Sequence, residues 1–458
     1  MTQTFRRRVA RATLLLFLCG CTSPAAVRPR AVDPGKRVVP PTIDDLQRRT
    51  FQWFWDTTNP QNGLVPDRWP TKSFSSVAAV GFGLTAYAVG VERGWVSREA
   101  ARDRVLTTLR FFWNAPQGTA STATSGHRGF FYHFLDMNTG HRFERVELSS
   151  IDTSLLIAGA LFCQSYFDRD DPAEREIREL AENLYRRVEW NFYQVHSPAI
   201  TMAWFPERGF ERAEYRGYNE AHLLYILALG SPTHPVSQNA WTEWTKTIRW
   251  GEFYGYEHAN FAPLFGHQYS HVWIDFRGIQ DDYMRGKGID YFENSRRATL
   301  AQRAYAIDNP NRFQGHSANI WGLTACDGPV DARLEVGGRT VQFWTYRARG
   351  AALGEITDDG TIAPTAAAGS IAFTPQESIA AIEAMMARYG THLYQQYGFL
   401  DAFNDTLERT DVKLQHGRVV PGVGWFDNDY LGIDQGPILA MIENYRTGLV
   451  WNYMRRSP

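Results

Sequence analysis

Apolar residues recur along this chain in two helical patterns that alternate. In residues 173–193, Ile177, Leu180, Leu184 and Val188 form one stripe with Arg and Glu opposite, as in an amphipathic surface helix. Residues 42–58, 97–114, 236–249 and 290–308 read the same way, with Thr42 and Ser97 as N-cap candidates and Asn59-Pro60 as a stop. Between them, 75–92, 151–166 and 221–229 are apolar almost all round and rich in Ala and Gly. A helix that is apolar on every side is buried. Segments 268–282, 375–389, 391–400 and 435–448 bring the number close to about twelve. Two concentric rings satisfy this alternation most simply, so the predicted fold class is all-α, an (α/α)6 toroid. A solenoid of helix pairs would need a fixed repeat period, and none is seen.

Residues 331–372 break the pattern. Arg333–Val336 and Thr340–Tyr346 alternate like strands around Gly337-Gly338, which predicts a β-hairpin excursion at the rim. An Ala/Gly/Thr-rich loop, Gly350–Ser370, follows it. The segment has too few apolar residues for a core of its own.

The amino terminus changes the picture of where the chain resides. Arg6, Arg7, Arg8 and Arg11 precede a short apolar run from Leu14 to Leu18, then Leu18-Cys19-Gly20-Cys21. This predicts a lipoprotein signal peptide over 1–20, with the lipid on Cys21. The run is too brief for a spanning helix. Residues 21–41, rich in Pro, Ala and Arg, read as a tether, and 42–458 as one catalytic domain. The expected location is the periplasm, lipid-anchored at the outer membrane, with no other membrane contact and a monomeric state. A net charge of −1 points away from nucleic acid. Cys163 and Cys326, the cysteines beyond the signal, sit in no CxxC motif, so no metal or disulfide framework is expected.

Aromatic residues make up 14 % of the chain, a share high enough to suggest flat apolar faces for sugar rings as well as core. Acids cluster where apolar helices begin. Asp152 leads into 153–166, and Glu220 leads into 221–229 after Gly217-Tyr218-Asn219. Each could be a catalytic carboxylate or simply a favourable charge at a helix start. Asp136 closes the aromatic run 129–136. Dense polar and aromatic residues in 265–277 suggest a sugar-binding wall of His267, Gln268, His271, Trp273, Asp275 and Arg277, faced by Trp321. Trp204, Tyr218, Asp327 and Trp425 complete the expected substrate contacts. His267 and His271 have zinc-like spacing, but there is no HExxH and no third ligand, so no metal or other cofactor is expected. GxSxG and P-loop motifs are absent from the sequence. Several acids and many aromatics at helix mouths are the ingredients of glycoside hydrolysis.

Five ordered blocks carry a family resemblance: IDTSLLIAGAL, YNEAHLLYILALGSPTHP, PLFGHQYSHVWIDFRG, NSRRATLAQRAYAI and NIWGLTACDGP. They resemble the bacterial glucoamylase-like domain family, which includes the endo-β-1,2-glucanases, over about Leu46 to Trp451. The resemblance implies a helical toroid and metal-free inverting hydrolysis of glucosidic bonds, most plausibly β-1,2. It places catalytic roles on Glu220, Asp152 and Asp136. An exo-acting or oligosaccharide-releasing hydrolase on another glucan, and a non-catalytic glycan-binding lipoprotein, are the alternatives.

Overall fold

The computed structural model describes residues 37–457. The signal peptide, Cys21 and nearly all of the tether lie outside the described residues. The described part is mostly helical, with many small sheets between the helices. In chain order the helices are α1 (Pro41–Thr57), α2 (Val77–Glu92), α3 (Arg98–Asn114), α4 (Ser150–Tyr166), α5 (Pro172–Arg187), α6 (His222–Gly230) and α7 (Asn239–Thr245). Then come α8 (Phe265–Trp273), α9 (Asp282–Lys287), α10 (Tyr291–Asp308), α11 (Pro364–Ala368), α12 (Pro375–Tyr389), α13 (Gly432–Thr447) and α14 (Leu449–Met454). No described helix is long and apolar enough to cross a membrane.

The two sequence patterns correspond to two positions in the fold. Helices α2, α4 and α6 are buried on nearly every side, whereas α5 buries only the stripe of Ile177, Leu180, Ala181 and Leu184, along with Glu174. Side-by-side packing links α2 to α4, α4 to α6, α6 to α8, α8 to α13 and α13 back to α2, while α11 packs on α13. Glycine makes the α2–α4 contact possible. A Cβ on Gly81 would fall 2.2 Å from the Leu155 carbonyl oxygen, and one on Gly159 2.3 Å from that of Gly81. The backbones therefore approach more closely than any side chain allows.

The caps follow local chemistry. The hydroxyls of Ser97 and Ser149 accept hydrogen bonds from Ala100 N and Asp152 N at the starts of α3 and α4. Asp171 caps α5 through two backbone amides.

Several boundaries depart from the periodicity. Residues 391–400 form no helix; a 3-10 turn at Gly390–His392 leads into the strand pair Tyr394–Gln395 and Gly398–Phe399. Gly390, at φ +50°, ends α12 just before this segment. Helix α7 covers only part of 236–249, because Trp250–Phe253 pairs as a strand with Tyr256–Ala259. The rim hairpin forms as expected, with Ala332–Val336 against Arg339–Phe343 around Gly337 and Gly338 at φ +59° and +77°. The loop after it is more ordered than its composition suggests. It holds the strands Gly350–Ala352 and Glu355–Thr357 and the buried helix α11.

A five-stranded sheet positions the first set of acids. Its order is Gly126–His127, Phe130–Tyr132, Leu148–Ser149, Ala203–Phe205, Gly209–Phe210. The central strand runs directly into α4, so the sheet fixes where that helix begins.

Candidate active site

Glu147, His133 and Asp152 meet at this sheet. His133 follows one strand, Glu147 precedes its neighbour, and His133 N donates to the Glu147 carbonyl at 2.9 Å. The imidazole Nδ1 lies 2.7 Å from Glu147 Oε1, and Nε2 lies 3.6 Å from Asp152 Oδ1. Burial alone would lower the imidazole's pKa. The charges of Asp152 and Glu147 outweigh it and lift His133 to about 9, so it is a cation at neutral pH. Burial raises Asp152 above the usual carboxylate range, while His133 and a hydrogen bond from the Ser149 hydroxyl favour its ionised form.

Glu220 lies before α6. Its Oε2 is buried with no hydrogen-bond partner among the described residues, although the residue as a whole is half-buried. Burial chiefly, and then the charge of Asp152, push Glu220 up to about 7. The residue therefore exchanges a proton near neutrality beside a carboxylate that repels its ionised form. Both carboxyls are thus raised by burial, and of the two only Asp152 has a cation, His133, beside it to favour its ionised form.

A second group of acids is more deeply buried. Asp327, Asp401, Asp427, Asp429 and Asp434 come from separate loops and from the first turn of α13, and none is more than 2 % exposed. Arg68 donates to Asp327 Oδ2 at 2.6 Å and to Asp67 Oδ2 at 3.2 Å. Burial, with the charge of Asp327, raises Asp401 to about 7, and burial with neighbouring carboxylates raises Asp427 and Asp434 well above their ordinary values. Tyr269 connects the two groups. Burial raises its phenol, and so do the charges of Asp434, Glu220 and Asp152 together. Tyr346 stands beside the second group, 46 % exposed, yet crowded enough that burial and four surrounding aspartates drive its phenol upward. A side chain that touches solvent while ringed by protein lines a concave surface, so the second acid group borders a depression at Tyr346.

The expected sugar wall is core instead. His267, Gln268, His271 and Trp273 on α8 are at most 1 % exposed. Their polar atoms face the interior: Gln268 donates to the Ala366 carbonyl at 2.9 Å, His271 meets the Ser295 hydroxyl at 3.0 Å, and Trp273 donates to Thr85 at 3.0 Å. Asp275 forms ion pairs with Arg277 and Arg455. Trp321 and Trp425 are fully buried, Tyr218 is buried with its hydroxyl 3.1 Å from that of Ser295, and Asp327 is held by Arg68. Of these residues only Arg277 keeps a partly exposed side chain. Asp136 is likewise committed elsewhere. Its Oδ1 accepts from the Asn138 and Thr139 amides and the Thr139 hydroxyl, which holds a turn and keeps its carboxyl below the usual range. Trp204 remains partly exposed, its ring 5.0 Å from that of His127. Cys163 and Cys326 are free and buried.

Truncating Trp321 to alanine should therefore unfold the protein more easily rather than weaken substrate binding. We expect a loss of about 3–5 kcal/mol, as for other buried large side chains, read from urea denaturation. A stable variant with a raised KM would return Trp321 to the substrate surface.

Residues 212–458 match the family model described as "Putative glucoamylase". The chain belongs to this family. A putative glucoamylase from Bacteroides uniformis, of known crystal structure, is 32 % identical over 92 % of this chain and 96 % of its own, with a TM-score of 0.76. The endo-β-1,2-glucanase from Chitinophaga pinensis, crystallised with sophorotriose and glucose, is 29 % identical over 91 % of this chain and 95 % of its own, also with a TM-score of 0.76. An exo β-1,2-glucooligosaccharide sophorohydrolase (non-reducing end) from Parabacteroides distasonis is 28 % identical over 91 % of this chain. The chain covers 56 % of that relative's length. The family match contains Glu220 and the whole second acid group, while Asp152, Glu147 and His133 lie before it.

Proposed function

We propose that this protein is a glycoside hydrolase of β-1,2-glucans, with Glu220 as the proton donor. The observation that carries this is Glu220 itself, unpaired at Oε2, pushed up to about 7 and facing the charge of Asp152. A glycosidic oxygen leaves only when protonated, and an acid titrating near neutrality supplies that proton efficiently. Asp152, its ionised form favoured by cationic His133 and the Ser149 hydroxyl, takes the proton of the attacking water. The outcome is inversion at the anomeric carbon. Trp204 offers a partly exposed ring to a sugar. The buried helices, each beside a more amphipathic one, form the inner circle of an (α/α)6 toroid in this reading.

The substrate linkage rests on the two relatives named for β-1,2-glucans and their oligosaccharides. Internal cleavage is our preferred mode, in keeping with the Chitinophaga relative that matches at nearly full length. The alternative, removal of sophorose from chain ends, is supported by the sophorohydrolase and by exposed Tyr346, which follows the hairpin and stands at the depression. The amino-terminal sequence supports export and lipid anchoring at the outer membrane through Cys21, with the enzyme acting as a monomer in the periplasm.

Incubation with linear β-1,2-glucan, cyclic β-1,2-glucan, laminarin and starch, with chromatography of the products, tests the proposal. Turnover of β-1,2-glucans alone is expected. A ladder of oligosaccharides means internal cleavage, and accumulation of sophorose alone means release from an end. Turnover of starch or laminarin in preference to both β-1,2-glucans refutes the assignment.

A further inference from the structure

The second acid group holds more buried carboxyl groups than its one neighbouring cation can pair. Asp327, Asp401, Asp427, Asp429 and Asp434 are each at most 2 % exposed. Arg68 is the guanidinium bound to Asp327, and it is shared with Asp67. Buried Arg349 is paired with Asp359 through both oxygens, at 2.7 and 2.8 Å. Isolated buried carboxylates are costly unless paired or bound to a metal.

The carboxylates also share an arrangement. One oxygen of each of three aspartates is fixed by a backbone amide: Asp401 Oδ2 by Asp327 N at 2.8 Å, Asp427 Oδ1 by Asn428 N at 2.8 Å, and Asp429 Oδ1 by Thr71 N at 2.8 Å. The other oxygens of Asp427 and Asp429, both Oδ2, are buried with no partner among the described residues, while Asp401 lies in hydrogen-bond reach of the Asp434 carboxyl. Asp327, Asp401 and Asp427 each present an oxygen within 4.8 Å of the others, and Asp327, His416 and Asp429 form a second such set around the same aspartate. Asp401 and Asp427 are held by backbone amides and Asp327 by Arg68, so outer hydrogen bonds set the orientation of all three, as they do for the ligands of a metal.

We propose that Asp327, Asp401 and Asp427 bind a divalent cation, with Asp429 and His416 beside them. Calcium is the cation that fits. The three ligands are hard carboxylate oxygens carried on loops, and Ca2+ accepts six to eight such ligands in flexible geometry, with water completing the shell. The site ties together segments far apart in sequence, around residues 327, 401 and 427, next to Tyr346 at the rim of the depression. Its role is to brace these loops. No step of the proposed hydrolysis passes through it.

The test is thermal melting of the purified full chain in EDTA and then with CaCl2, together with calorimetric titration of CaCl2 into the stripped protein. Binding to the folded state alone raises stability with free ligand concentration. We therefore expect the melting temperature to rise by several degrees and to keep rising as Ca2+ increases, with one site per chain. Asp427→Asn and, separately, Asp401→Asn should each weaken Ca2+ binding at least about tenfold, while the stripped variants melt close to stripped wild type. Identical melting in EDTA and CaCl2, with no binding heat, overturns the proposal. So does a calcium response that both variants keep in full. Melting and binding are read without substrate, so the outcome is independent of whether the protein hydrolyses β-1,2-glucan.

Discussion

Glu220→Gln is expected to remain folded and lose at least about a hundredfold in kcat, within the range that general acid catalysis contributes. Glutamine keeps the shape and hydrogen-bonding reach of the side chain but has no proton to give. The same residue makes a pH prediction. In wild type, kcat/KM should fall as pH rises through about 7, because the free enzyme loses the proton from Glu220. Stability should move in the same direction. Between the ordinary value of 4.5 and about 7, the folded protein binds this proton more tightly than the unfolded chain. Stability therefore declines through that window as pH rises, and the penalty remains above it. Glutamine removes the penalty, so the variant should gain melting temperature relative to wild type at pH 8 and not at pH 4. Normal turnover by the variant on β-1,2-glucan would remove Glu220 from the chemistry. An inactive variant that also fails to bind glucan would recast it as a substrate clamp.

Asp152→Asn should also lower kcat by at least about a hundredfold, because asparagine cannot accept the proton of the attacking water. A second readout separates this from simple misfolding. Asp152 is the largest of the influences that raise His133 to about 9, so removing its charge should lower that pKa markedly. NMR titration of the His133 ring in both proteins measures the change. A folded variant with an unmoved His133 would show that the two groups are not coupled as the geometry indicates. A variant with a shifted His133 and intact turnover would keep the coupling but take the base role away from Asp152.

Much of the helical framework was legible because burial leaves a period in the sequence. The stripe of Ile177, Leu180 and Leu184 and the all-round apolarity of α2 and α4 each reflect a physical surface, and both elements lie where expected. Most strands were not legible. Pairs such as Leu148–Ser149 are two residues long, and two residues cannot show an alternation. Glu220 and Asp152 drew attention because each stands immediately before an apolar helix core. The α8 residues were misplaced for an instructive reason. His267, Gln268, His271 and Trp273 look like a sugar surface by composition, but all four are buried, and Gln268, His271 and Trp273 hydrogen-bond to α11, α10 and α2, which no local pattern can reveal. The converging aspartates were hidden by distance along the chain. Asp401, Asp427 and Asp434 lie in loops or a helix turn, and only the fold brings them to Asp327.

The most direct test of the central claim is proton NMR of the first products released from linear β-1,2-glucan, recorded before mutarotation. Protonation by Glu220 with water delivered by Asp152 from the opposite face inverts the anomeric carbon, so new reducing ends should appear first as the α-anomer. Appearance of the β-anomer first would mean a covalent, retaining route. That result, or the absence of any release from this glucan, would contradict the account.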